Sequence, residues 1–166
     1  SNSLTYFIDT DSWGYKGKFS TNAWHPEYTD PNAYVSKDKV NHNFDTDKFA
    51  FAVLLFRILT LQHPFEGGYK RNGKRMSPVD RIKERISVLG KESVKIPSYI
   101  PSWKWMSPEL LTAFYEIFEK GKRVYLHDLL VDLKNNLSYC NEHKGYYYNK
   151  YSCCPVCNDT ARIKNI

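Results

Sequence analysis

Between Phe49 and Thr60 the chain reads FAFAVLLFRILT, and Arg57 is its only charged residue. A helix with this composition is apolar on every face, so it is expected to be buried on every side. At about four turns it is too short to span a bilayer. The segment therefore predicts the central helix of a helical domain, with a buried strand followed by a turn as the alternative. Asp45 or Thr46 supplies an N-cap, and Asp47 falls in the first turn, where the helix dipole favours negative charge. The run HPFEGG that follows at 63–68 ends the helix.

Further helices are predicted around this one. Ser77-Pro78-Val79-Asp80 joins an N-capping serine to a proline at the first helical position, and the helix is expected to run to about Leu89, where Gly90 stops it. The stretch IPSYIPSWKW is an extended, proline-bounded connection. Ser107-Pro108-Glu109 repeats the start signal, and Leu110, Phe114, Ile117 and Phe118 then share one helical face. A last helix carries Leu126, Leu129, Leu130, Leu133 and Leu137 at helical spacing. Leu4 to Ile8 reads as a strand. Residues 10–43 read mostly as loop, with a turn of helix near Pro26-Glu27-Tyr28. The expected fold class is mainly α, with a short N-terminal strand and a small zinc-ribbon-like hairpin at the C-terminus.

The chain has 166 residues, enough for one domain with a real core and too few for two large ones. Its apolar content of 42% and aromatic content of 16% exclude a disordered chain. The net charge of +6 is compatible with an acidic partner but is weak evidence for one. No stretch is apolar for long enough to span a membrane, and the first residues lack the charged n-region of a signal peptide. A cytoplasmic protein with no membrane partner is the expectation.

All four cysteines fall in the last 27 residues, where the composition shifts to Cys, Tyr, Asn and Lys. A boundary is therefore placed at Tyr139, dividing a helical domain (4–138) from a tail (139–166). The tail holds Cys140-x-x-His143, ten residues, then Cys154-x-x-Cys157. Two short-spaced pairs separated by a hairpin-sized gap suit a tetrahedral zinc site, and thiolate and imidazole are ligands zinc prefers. Four protein ligands leave no open position, so the expected role is structural. Tyr146, Tyr147, Tyr148 and Tyr151 would build the strands, and Cys153 is a spare or alternative ligand. The competing reading is a set of buried free cysteines beside a surface histidine.

Near the start, FIDTDSW places Asp9 and Asp11 at i and i+2, on one face of an extended chain. They could hold a divalent cation or be an ordinary polar strand end.

Taken in order, these pieces resemble the C-terminal lobe of a bacterial eukaryotic-like Ser/Thr protein kinase, from the D-F-G segment onward. FIDTDSW is similar to D-F-G, His25-Pro26-Glu27 to A-P-E, DKFAFAVLLFRILTLQHPF to the long central helix, and KRVYLHDLL to the segment before the last helix. The nearest likeness is to a subgroup with an IDTDSF version of D-F-G and a C-x-x-H…C-x-x-C tail. The resemblance implies that Asp9 binds Mg²⁺ at the nucleotide phosphates, with Asp11 a second candidate. It implies that Glu27 and Arg123 form a buried structural ion pair and that Asp47 braces the catalytic loop. ATP and Mg²⁺ would serve only the full-length parent. Thr10 and Asp11 replace the Phe and Gly of D-F-G, His25 the Ala of A-P-E, and Val124 the Pro that follows the arginine. The Gly-rich loop, the strand lysine and the H-R-D-x-x-x-x-N loop are absent from these residues, so the chain reads as a fragment that is inactive alone. Implied partners are a protein substrate or regulator and the parent's own N-lobe. A pseudokinase or scaffold, and a zinc-ribbon module binding nucleic acid, are the alternative functions, and nucleic acid is the less expected partner. The stretch Lys70–Arg85, with seven basic residues against two acids, is left unassigned.

Overall fold

The structure is a computed structural model, and it describes residues 24–36, 39–90, 94–98 and 100–158. Asp9, Asp11 and the expected strand at Leu4 to Ile8 lie outside the described residues.

Among the described residues the body is built from four α-helices and three small antiparallel strand pairs. Two 3₁₀ turns, Pro26–Tyr28 and Pro31–Ala33, lead into β1 (Tyr34–Ser36) and β2 (Lys39–Val40). Helix α1 (Phe44–Thr60) follows. Its N-cap is Asn43, whose side chain accepts from the amides of Asp45 and Thr46, while the Thr46 hydroxyl accepts from the Asn43 amide. This reciprocal pair satisfies amides that the first turn leaves open, which is why the helix starts two residues before the expected cap. Leu61, in the left-handed region at φ 57°, ends it.

Helix α1 is not buried on every side. Thr46, Phe49, Val53, Phe56 and Thr60 form one buried stripe, whereas Phe51, Leu54, Ile58 and the capping Leu61 are exposed. Apolar composition shows which faces tolerate burial, but not how many of them another element covers. The buried stripe meets α3 (Pro108–Phe118) through an aromatic cluster. Phe56 packs edge-on to Phe114 and Phe118 at centroid separations of 5.2 and 5.7 Å, and Phe65 meets Phe118 at 5.6 Å. These are favoured aromatic geometries. Helix α3 begins at the predicted Ser-Pro signal, with Ser107 Oγ accepting from the Leu110 amide.

Between α1 and α3 the chain forms β3 (Lys70–Arg71), β4 (Lys74–Arg75) and α2 (Pro78–Lys83). Ser77 caps α2 as the sequence suggests, but the helix stops well short of Leu89 because Arg85 adopts φ 55°. Here Arg81 is fully buried, donating to the carbonyls of Ile86 and Gly67.

Helix α4 (His127–Asn135) is shorter than the leucine spacing predicts. Leu126 is its N-cap, and Leu137 has already entered β5 (Leu137–Cys140), which pairs with β6 (Gly145–Tyr148). This hairpin leans on the helical body. Tyr148 belongs to the core, and its hydroxyl donates to Asp132 on α4 at 2.6 Å. The Tyr151 hydroxyl donates to the buried Met106 carbonyl at 2.9 Å.

Candidate metal centre

The β5–β6 hairpin carries the first ligand pair in its own turn. Cys140 is the last residue of β5 and lies opposite Gly145, so residues 141–144 form the connection and His143 projects from it. Lys144 takes φ 54°, the left-handed conformation that reverses the chain. The spacing alone suggests a hairpin between the two ligand pairs; instead the first pair spans the end of β5 and the hairpin turn. The second pair follows a reversal at Tyr151, whose amide donates to the Tyr148 carbonyl at 3.2 Å. Cys154 then opens a helical turn over 155–158, accepting from the Asn158 amide at 3.1 Å, and this brings Cys157 round to the same side.

One donor atom from each of Cys140, His143, Cys154 and Cys157 lies within 4.8 Å of the others. Cys140 Sγ is 3.5 Å from Cys157 Sγ, and His143 Nδ1 is 3.1 Å from Cys154 Sγ and 4.0 Å from Cys157 Sγ. The sulfur separation is far beyond the roughly 2.05 Å of a disulfide bond. Tetrahedral metal–sulfur bonds of about 2.3 Å would set ligand atoms roughly 3.8 Å apart, and the observed separations bracket that value. The four residues therefore form a Cys₃His cluster whose spacing could hold a metal ion such as zinc. Cys154 is buried, whereas Cys153 is exposed and stands outside the cluster.

The cluster's electrostatics favour thiolate at one position. The His143 amide, aimed at Cys140, holds that thiol down to about 6. The Cys140 sulfur in turn pushes Cys157 up to about 12. Two thiols this close cannot both ionise easily without a cation between them. A divalent metal held by these residues would remove that conflict, with both sulfurs bound as thiolates. Gly145 leaves the space that His143 fills, since a Cβ there would sit 2.6 Å from His143 Nε2.

The remaining site candidates are distributed elsewhere. Arg123 does not pair with Glu27. Its guanidinium forms an ion pair with Asp30 and also donates to the carbonyls of Asp45, Gly121 and Lys122. Asp30 is almost fully buried, and Arg85 approaches its other oxygen at 3.8 Å. Glu27 contributes its backbone carbonyl instead, to His63 Nε2 at 2.9 Å. Asp30 holds the buried position because it caps the Pro31–Ala33 turn, accepting from the Asn32 amide at 3.0 Å. An Asp-Pro pair is the same start signal as Ser77-Pro78 and Ser107-Pro108, and it was the available clue. Desolvation lowers the Arg123 pKa, as expected for a guanidinium drawn inside. Asp47 is exposed in the first turn of α1, beside Trp24 and His42 at the rim of a small cavity. Among the described residues no helix is long and apolar enough to cross a membrane.

No protein-family model, curated protein or solved structure matches the chain.

Proposed function

We propose that the Cys₃His cluster binds zinc as a structural ion. In this reading the helical body it staples is the C-lobe of a Ser/Thr-type protein kinase parent and is inactive by itself. The observation that carries the reading is the convergence of four soft and borderline donors from two knuckles within 4.8 Å. A three-thiolate, one-imidazole set selects zinc over hard cations, and a closed four-ligand shell makes the ion structural. The strands it joins are four residues each, too short to persist unaided, so metal binding contributes folding energy. Zinc supplies cross-linking only. The chain's own residues, Tyr148 against Asp132 and Tyr151 against Met106, transmit that rigidity to the body.

The kinase part of the proposal is supported by the order of the motifs. It is also supported by the buried Asp30–Arg123 pair, which ties the segment after His25-Pro26-Glu27 to the approach to α4. The pairing acid is displaced by three residues from the one the resemblance implies.

Two measurements test the proposal. Metal analysis of the purified chain should find about one zinc per molecule, and cobalt exchange should give a thiolate charge-transfer band that Cys157→Ser weakens. A metal-free chain with unchanged stability would refute the zinc part. For the second part, the chain alone should show no phosphotransfer above background with Mg²⁺ and ATP. A parent whose coding sequence reads upstream through an H-x-D-x-x-x-x-N loop should show it. An upstream sequence without that loop leaves a scaffold rather than a kinase.

A further inference from the structure

The β3–β4 hairpin is an unfavourable arrangement taken alone. Its register sets Lys70 opposite Arg75 and Arg71 opposite Lys74, two like-charged pairs directly across a two-stranded ladder. Such pairs destabilise a hairpin. The turn that holds them is Asn72-Gly73, with φ 51° and 78°, the two positive values that a tight primed turn requires. Arg71 has a counter-charge in Glu84. Among the described residues Lys70, Lys74 and Arg75 pair with no carboxylate, and all three are exposed. A strong turn thus holds together cations that the fold does not neutralise.

The hairpin borders a groove of about 680 Å³. Arg75, Met76, Pro78, Pro97 and Ile100 are among the residues that line it. The chain just before Pro97 is pinned by a reciprocal pair of backbone hydrogen bonds between Gly68 and Lys95, each 2.8 Å. Gly67 permits this approach: it has φ 108°, and a Cβ there would lie 2.8 Å from the Lys95 carbonyl. Gln62 also lines the groove, and its Oε1 is buried without a hydrogen-bond partner. A buried acceptor left unpaired costs free energy that an incoming donor recovers.

We propose that this groove docks a short acidic peptide segment of a partner protein, seating one apolar side chain between Met76 and Ile100 and its carboxylates on the β3–β4 cations. Charge complementarity identifies the occupant. The unpaired lysines and arginine call for anions, the aliphatic lining calls for a side-chain anchor, and the Gln62 acceptor calls for an N–H that a peptide backbone carries. Nucleic acid fits less well. Among the described residues no aromatic ring lines the groove for base stacking. The inference rests on the hairpin and groove alone and is independent of the zinc and kinase readings.

The test uses the full zinc-loaded chain and an array of immobilised eight-residue peptides. Each has a central leucine flanked by zero, two or four glutamates, with lysine-flanked peptides and oligo-dT as controls. Binding should rise with glutamate number and fall about tenfold from 50 to 300 mM salt, as expected for screened surface charge. The double variant K70E/K74E should weaken the four-glutamate peptide by roughly tenfold without lowering the melting temperature, because both side chains are exposed and each new glutamate faces an arginine across the ladder. Ile100→Asp should weaken it without altering the hairpin. Equal binding of glutamate and lysine peptides, preference for oligo-dT, or retained affinity in K70E/K74E would each overturn the proposal.

Discussion

Asp30→Asn isolates the buried charge that organises the segment before α1. The substitution keeps a capping oxygen for the Asn32 amide, since Asn caps helical turns as well as Asp. What it removes is the carboxylate between two guanidinium groups. Asp30 is 1% exposed, with Arg123 at 14% and Arg85 at 20%. Breaking a buried pair from one side costs about 3–5 kcal/mol because the partner charge stays buried. Arg123 retains three carbonyl acceptors, at 3.0, 2.7 and 3.0 Å, which places the cost below that range, at about 2–3 kcal/mol. With a urea slope of about 2 kcal/mol per molar, the midpoint should fall by about 1–1.5 M. Asp30→Ala should cost about 1 kcal/mol more, for the lost cap. Glu27→Gln should stay within about 0.5 kcal/mol, because Glu27 serves through its backbone carbonyl. Urea unfolding of the zinc-loaded variants, followed by far-ultraviolet circular dichroism, measures all three. The reasoning fails if Glu27→Gln costs as much as Asp30→Asn, or if Asp30→Asn shifts the midpoint by less than about 0.3 M.

Further outcomes follow from the metal cluster and from a buried histidine. Gly145→Ala should weaken zinc binding by about tenfold, because its Cβ would meet the His143 ring at 2.6 Å, and unchanged affinity in a chelator competition would count against the geometry. Chelation should lower the melting temperature and expose Tyr148 and Tyr151 together, seen as a change in tyrosine fluorescence, since both anchor the hairpin to the body. His63 accepts the Phe65 amide on Nδ1 at 3.2 Å and faces the Glu27 carbonyl through Nε2, so it is held as the neutral tautomer. Burial lowers its pKa below the ordinary 6.5. The unfolded chain therefore takes up a proton before the folded one does, and stability should fall as pH drops from about 6.5 toward the depressed folded value. His63→Gln should flatten that part of the stability–pH curve, and an unaltered curve would remove His63 from the explanation.

What the sequence determined by itself was local. Ser77-Pro78 and Ser107-Pro108 mark helix starts through chemistry confined to four residues, so α2 and α3 begin where they were read. The face of Leu110, Phe114, Ile117 and Phe118 follows from helical period alone. The two ligand pairs were legible because their short spacings each make a tight knuckle, whatever surrounds them. Tertiary structure decided everything that depended on a distant partner. Arg123 chose Asp30 over Glu27 across more than ninety residues, because the acid that caps a 3₁₀ turn is the one already held in the interior. The apolar circumference of α1 was divided into a buried and an exposed stripe by where α3 happens to pack. Leu137 left the helical register because pairing with Tyr148 across the hairpin gives its backbone a partner that another turn of α4 would have forfeited. Sequence patterns report what a segment can satisfy within one or two turns; which of its remaining groups find partners is settled only when the chain returns to meet them.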